Sequence, residues 1–219
     1  MIQVHRIGLK LSNAYLIQDR QKAILVDAGM PGEGKRILSR LREVGITELM
    51  WIYLTHAHYD HVGSTAEIRR ATGAQVVIQE KDVEPLVAGK TLLGEVRGRG
   101  RISAWMLPLV ERLMPVDPVE PDIVFQDRLS LPDFGTRIEA LHLPGHTLGS
   151  SGLLVDDRLF FAGDLLSTTG VPHAQRFYAQ DWEALEQSLK LVKDLGPGLS
   201  YPGHGPAPLD RQGLLGLQL

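Results

Sequence analysis

Apolar and polar positions alternate along the start of the chain. Residues 2–9, 12–18 and 23–27 read as strands, and the polar step at 19–22 reads as a hairpin turn. Gly29, Pro31, Gly32 and Gly34 punctuate the exit from the third strand. The period then becomes helical over 33–44, where Ile37, Leu38, Leu41 and Val44 share one face and Gly45 closes the helix. Residues 49–54 form a continuous apolar run, short enough for a strand covered on both faces. A histidine-rich loop follows, then a helix to about Thr72 with Gly73 as its cap, then a strand over 75–79.

Between 81 and 121 the pattern changes. Helical pieces are expected at 83–88 and 104–114, with Arg97-Gly98-Arg99-Gly100-Arg101 between them as a solvated, flexible loop. Trp105, Met106, Leu107, Leu109, Val110, Leu113 and Met114 make the second piece apolar on most of its circumference, so something must cover it. It can roof a site, form a homodimer contact, or pack on the edge of the domain. Strands resume at 122–131 and 136–143 around Pro132-Asp133-Phe134-Gly135, and at 150–155 and 158–162 around Asp156-Asp157. An amphipathic helix over 181–195 has Asp181 as N-cap and Gly196 just past its end. A short strand near 199–201 leads into Pro202-Gly203-His204-Gly205. Each half thus carries a sheet with helices. Periodicity alone supports an α/β or α+β class and one domain over 1–219, with a helical insert at about 81–121.

Composition narrows the chemistry more than the fold. There is no cysteine, so any metal must be held by nitrogen and oxygen. Net charge is −3 with no long block of one sign, which argues against a nucleic-acid partner. No apolar run approaches the roughly 18 residues needed to span a bilayer, and the first ten residues lack a signal-like apolar core. The expectation is a cytoplasmic protein with no membrane partner.

The chemistry concentrates in Thr55-His56-Ala57-His58-Tyr59-Asp60-His61-Val62-Gly63, directly after the apolar run. Loops held at strand ends are where a rigid sheet presents ligand groups. Alternate residues of an extended chain share a face, so His56 and His58 can reach one metal while Asp60 or His61 turns toward a second. Three imidazoles and a carboxylate in six residues have no evident folding benefit. Three later residues also follow strands: His146 in Gly145-His146-Thr147, Asp164 in Gly163-Asp164, and His204 in Gly203-His204-Gly205. Each alone reads equally well as a turn residue; together they supply the ligands that a pair of metal sites would need. His5 and His142 fall inside strand patterns and read as structural. His173 reads as an exposed loop histidine rather than a pocket residue, and no role is assigned to the Tyr59 or Tyr178 phenols.

The ordered set H-x-H-x-D-H, G-H-T, G-D and G-H-G resembles the metallo-β-lactamase-fold superfamily over nearly the whole chain, including Val26-Asp27-Ala28-Gly29. The resemblance implies a four-layer αββα sandwich. It implies that His56, His58 and His146 hold one metal, that Asp60, His61 and His204 hold another, and that Asp164 bridges them. Asp27 would orient ligands rather than bind metal. Glyoxalase II-like and lactonase-like members are the nearest in pattern. The chain ends about fifteen residues after His204, without the basic helical C-terminal region of glyoxalase II. Oxygen-reducing diiron members have Glu where this chain has His58.

The expected activity is hydrolysis of an ester, thioester or lactone of a small, anionic or acyl-bearing substrate. The expected cofactor is two divalent ions, zinc first, with iron or manganese as alternatives. Two such ions, offset by Asp60, Asp164 and a bridging hydroxide, keep one net positive charge and make hydroxide available near neutral pH. Asp60 would pass a proton to the leaving group. The alternative is a mononuclear iron, persulfide dioxygenase-like enzyme using His56, His146 and Asp164. A non-catalytic metal-binding module is the third reading, and its mark, a broken ligand set, is missing here.

Overall fold

The computed structural model describes residues 2–132 and 134–218. The first half runs β1 (Gln3–Gly8), β2 (Asn13–Asp19), β3 (Lys22–Val26), α1 (Gly34–Glu43), β4 (Glu48–Tyr53), α2 (Tyr59–Val62), α3 (Thr65–Thr72), β5 (Gln75–Gln79), α4 (Val83–Ala88), β6 (Glu95–Val96), α5 (Gly100–Leu113) and β7 (Ile123–Phe125). The second half runs β8 (Arg128–Ser130), β9 (Ile138–His142), β10 (Ser151–Val155), β11 (Leu159–Phe161), β12 (Leu166–Ser167), β13 (His173–Ala174), β14 (Tyr178–Ala179), α6 (Trp182–Leu195), β15 (Leu199–Tyr201), β16 (Leu209–Asp210) and α7 (Arg211–Leu215). Two six-stranded sheets result, ordered β1-β2-β3-β4-β5-β7 and β16-β15-β11-β10-β9-β8.

The period-2 alternation of side chains produces the layers. In β3, Leu25 faces Ile37 and Leu41 of α1 and Ile68 of α3, while Ile24 and Val26 face the other sheet. In β10, Leu153 and Val155 face the first sheet, and Leu154 meets Leu185, Leu189 and Val192 of α6. The order is therefore helices, sheet, sheet, helices: the αββα sandwich. Aromatic rings fill the space between the sheets, with Phe161 stacked on Tyr201 at 4.7 Å and edge-on to Tyr15 at 5.3 Å. Tyr53 crosses the same space to donate to Ser151 Oγ at 2.8 Å, so a buried phenol is both satisfied and used to fix the sheet pairing.

Four expectations are corrected. Residues 122–131 do not form one strand: β7 belongs to the first sheet and β8 to the second, and the chain crosses between layers at Gln126-Asp127. Both pieces are short and β-rich, so periodicity cannot register the break. The helix after the histidine loop is two, α2 and α3, separated at Gly63-Ser64. Helix α5 starts at Gly100, not at 104, so part of the arginine loop is helical. That loop is also tethered, since Arg97 pairs with Glu95 at 3.0 Å and lies 3.9 Å over the Trp182 ring. Asp133, in the expected turn, lies outside the described residues, as do Met1 and Leu219 at the ends of the expected domain.

Within α5 only Gly100 is buried. Leu107 and Val110, with the exposed Met106, line a cavity, while Ile102, Trp105, Leu109 and Leu113 are exposed away from it and nothing among the described residues covers them. The helix roofs the site described next.

Candidate metal centre

Strands from both sheets end at the same place and deliver the polar residues there. Asp27 follows β3, Thr55 and His56 follow β4, and His146 lies beyond β9. Asp164 follows β11 and His204 follows β15. Ser151 N donates to Thr55 O at 2.8 Å, joining the two sheets beside the site. The backbone is shaped for close approach. A Cβ at Gly203 would overlap Asp164 Oδ1, and Gly145, at φ +137°, lets the His146 turn lie against the backbone of Leu185.

Each of the five histidines has one ring nitrogen held from outside. His56 Nδ1 lies 3.0 Å from the Thr55 hydroxyl, which itself donates to Asp27 and so accepts from the ring. His58 Nε2 donates to Leu92 O at 3.1 Å, and His61 Nδ1 to Asp27 Oδ2 at 2.9 Å. His146 Nδ1 donates to Tyr178 O at 3.1 Å, and His204 Nδ1 to Leu11 O at 2.7 Å. The second nitrogen of every ring then turns inward. Outer partners of this kind set the tautomer and aim of metal-binding imidazoles.

The inward atoms form three overlapping groups that can hold a metal: His56, His58 and His146; His56, His61 and Asp164; and Asp60, His61 and His204. Within each group the ligand atoms lie within 4.8 Å of one another. Asp164 stands between the histidine pairs. Its Oδ1 is 3.1 Å from His61 Nε2 and from His204 Nε2, and its Oδ2 is 3.5 Å from His146 Nε2. Asp60 Oδ2 lies 3.6 Å from both His61 Nε2 and His204 Nε2.

Two observations test whether a cation fits. His56 Nε2 is buried with no hydrogen-bond partner, and His61 Nε2 and Asp164 Oδ1 are buried with only each other and His204 Nε2 at 3.1 Å. An unsatisfied buried polar atom costs about 1–3 kcal/mol, so the inward face of His56 marks a place that a ligand completes. His146 Nε2 also faces His58 Nδ1 at 3.1 Å. The outer hydrogen bonds put a lone pair on each of these atoms, so they repel unless something positive lies between them. Two nitrogens bound to one tetrahedral zinc at about 2.0–2.1 Å would be about 3.3 Å apart. The residues fit divalent metal.

The protonation of the two groups differs. Burial holds His56 well below the ordinary imidazole value, lowers His58, and brings His146 down to about 3. These three offer neutral nitrogen. Burial pulls His61 and His204 down as well, but Asp164 and Asp60 outweigh it, with Asp27 adding to the effect on His61. His61 ends well above the ordinary value and His204 at about 9. Burial raises Asp164, but His204 and His61 hold it well below the usual carboxylate range. Positive charge is thus already favoured where Asp60, Asp164, His61 and His204 meet.

Asp82 lies outside every motif of the sequence. It is 2% exposed and accepts from Ala57 N at 2.7 Å, Thr147 Oγ1 at 2.9 Å and Gly149 N at 3.0 Å. It therefore ties the loop of His56 and His58 to the loop of His146. Gln175, also buried, reaches Asp164 O at 3.3 Å. A lone Asp at the start of a helical piece carries no signal of this role. His173 is corrected: it is half-buried on β13, and it borders a cavity that reaches Asp164. His5 and His142 are placed as expected, bonded to Gln18 and to Leu148 O away from the cluster. Tyr59 and Tyr178 both border the cavity under α5.

A model of the metallo-beta-lactamase superfamily matches residues 7–204. The chain belongs to this superfamily. Hydroxyacylglutathione hydrolase GloC of Haemophilus influenzae is 31% identical, over 88% of this chain and 85% of that one. Probable metallo-hydrolase YflN of Bacillus subtilis is 27% identical, over 92% of this chain and 83% of that one. In fold, the chain is similar to the BLEG-1 B3 metallo-beta-lactamase, with a TM-score of 0.72 at 23% identity, over 97% and 95% of the two chains. Members of this superfamily are generally hydrolases, and this metallo-beta-lactamase-fold chain carries His and Asp groups that can hold metal. Among the described residues no helix is long and apolar enough to cross a membrane.

Proposed function

We propose that this chain is a hydrolase of an ester, thioester or lactone bond that works with two divalent metals, zinc first. His56, His58 and His146 would hold one, Asp60, His61 and His204 the other, with Asp164 shared. The observation that carries the reading is the common arrangement of five imidazoles. Each is anchored at one nitrogen and turns the other into one cluster that also holds Asp60 and Asp164. Divalent metal at these positions supplies Lewis acidity and activates water near neutral pH.

The chain's own residues do the rest. Thr55 and Asp27 hold the rings of His56 and His61. Ser12 donates to Asp60 O, fixing the backbone of the aspartate that borders the open cavity. Asp60 is the group that takes a proton at its carboxylate and passes it to the departing oxygen or sulfur. α5 covers the same cavity and limits water.

The test is elemental analysis of protein purified without added metal, followed by assays on thioester, lactone and ester substrates. Two zinc per chain with turnover that a chelator abolishes is the expected result. One iron per chain, with oxygen uptake on persulfides and no hydrolysis, would replace this reading with the oxygenase.

A further inference from the structure

Two cavities meet at the cluster. One, of about 410 Å³, lies beneath α5 and is walled by Leu11, Leu93, Met106, Leu107 and Val110. The other, of about 390 Å³, is bordered by Arg99, Arg176, His173, Ser167 and Thr169. Asp164, Tyr178 and His204 line both, so the cavities join where the inward ring nitrogens converge. Each volume is within the range of small-molecule sites, about 300–1,000 Å³.

The two walls differ in chemistry. The first carries its aliphatic side chains together with Tyr59, Thr91 and Ser103, and no basic side chain besides the clustered histidines. The second has Leu166 and Phe177 in its wall as well, but adds Arg99 and Arg176, neither of which has a carboxylate partner among the described residues; Arg97, on the same loop as Arg99, is paired with Glu95. Arg176 lies 5.1 Å over the Phe177 ring, which limits where its charge can go. The walls are also built as one unit. Arg97 N donates to Phe177 O at 2.8 Å, and β6 pairs with β14. Gly100 lies against Phe177 and Tyr178 so closely that a Cβ there would come within 3.0 Å of the Tyr178 ring. The start of α5 and the 173–178 segment thus hold each other, and the carbonyl of Tyr178 holds His146.

We propose that the cleft has two arms and takes a bipartite substrate. An apolar chain or ring on one side of the scissile bond lies beneath α5. An anionic group on the other side, a carboxylate or phosphate, is held by Arg99 and Arg176. This inference rests on the hydrolase reading for the bond between the two parts. It assigns recognition to the 81–121 segment and to the strip around Arg176, neither of which supplies a metal-facing residue.

The test is calorimetric binding of S-octyl-3-mercaptopropionate, a thioether that cannot be hydrolysed, to the zinc-loaded protein. Two twins serve as controls, one with an amide in place of the carboxylate and one with ethyl in place of octyl. The expected result is binding about tenfold tighter than either twin, since exposed charge pairs and one arm's apolar contact are each modest. R99E/R176E should erase the preference for carboxylate over amide, and R99K/R176K should keep most of it. V110W should erase the preference for octyl over ethyl. M106K, which closes the same arm by charge rather than bulk, guards against a fold effect of V110W.

Wild-type protein that does not discriminate among the three compounds overturns the proposal. So does a carboxylate preference that survives R99E/R176E, because the anion is then bound at the metals. The matching thioesters, with the carboxylate on either side of the bond, separate the two readings. Two-armed binding without hydrolysis keeps the cleft and removes the hydrolase. Hydrolysis indifferent to chain and charge does the reverse.

Discussion

Asp82 offers the sharpest test of how this site is held. In Asp82→Asn the side chain keeps its shape but only one acceptor oxygen. The native Oδ2 accepts from Ala57 N and Thr147 Oγ1, and Oδ1 accepts from Gly149 N. The Thr147 hydroxyl can turn to Ser150 Oγ, 2.8 Å away, and so is not stranded. The two backbone N–H groups cannot turn. Whichever way the amide is placed, its NH2 faces one of them, and one buried donor loses its partner. That costs about 1–3 kcal/mol. Asp82→Ala strands both and should cost more than Asp82→Asn. Burial already pushes Asp82 above the usual carboxylate range, so part of the loss is offset by removing a desolvated charge.

The readout is urea unfolding of metal-free protein, which reports the structural loss alone. A competition titration with a zinc chelator then reports the ligands. Because Asp82 ties the His56–His58 loop to the His146 loop without touching a ring, zinc affinity should fall, by less than the roughly 10–100-fold of a group bonded directly to a metal ligand. Stability of Asp82→Asn within 0.5 kcal/mol of wild type, together with unchanged zinc affinity, would refute the account of Asp82 as the clamp between the loops.

Asp27→Asn keeps a residue tolerant of φ +60°, so the turn should survive while the His61 anchor is lost; metal analysis should show bound metal lost at lower chelator concentration than in wild type. Gly203→Ala forces its Cβ into Asp164 Oδ1 and should lower both metal content and turnover at least tenfold, as read by elemental analysis and initial rates. Chelation should lower the melting temperature and zinc should restore it, because zinc at 100 times its Kd adds about 2.7 kcal/mol; equal melting temperatures with and without zinc would contradict a site assembled in the folded state. Trp105→Glu, at a side chain 82% exposed, should change unfolding stability by less than about 0.5 kcal/mol.

What could be read in advance divides along a physical line. Strands and helices with a long, clean period were legible: β2 to β4, α1 and α6, down to the Asp181 cap, whose side chain accepts from Ala184 N at 2.9 Å. So was the dense His56–His61 run, whose candidate ligand atoms the fold gathers with those of His146, Asp164 and His204. The two-residue strands β6 and β14 were not legible, since pairing that short leaves no period. The crossing at Gln126-Asp127 was hidden for the same reason. His173 departs from its loop reading because nothing local to Val171-Pro172-His173 indicates that β13 pairs with β12 and brings it to the cavity that reaches Asp164.

Asp82 and Gln175 mark the deeper limit. A ligand residue announces itself through its own chemistry and its neighbours in the chain. A residue that holds ligands in place acts across the fold: Asp82 lies 65 positions from Thr147, and Thr55 lies 28 from Asp27. Its effect depends on loops that meet only after both sheets have packed. The same reasoning applies to the substrate arms. Arg99 and Arg176 belong to segments with unrelated patterns, and only the pairing of β6 with β14 puts them on one wall. In a fold whose candidate ligand set is this easily read, the individuality of the protein lies in such contacts between distant segments. Substitutions there should alter what is bound and how tightly, while changes at the inward-facing histidines should remove the chemistry altogether.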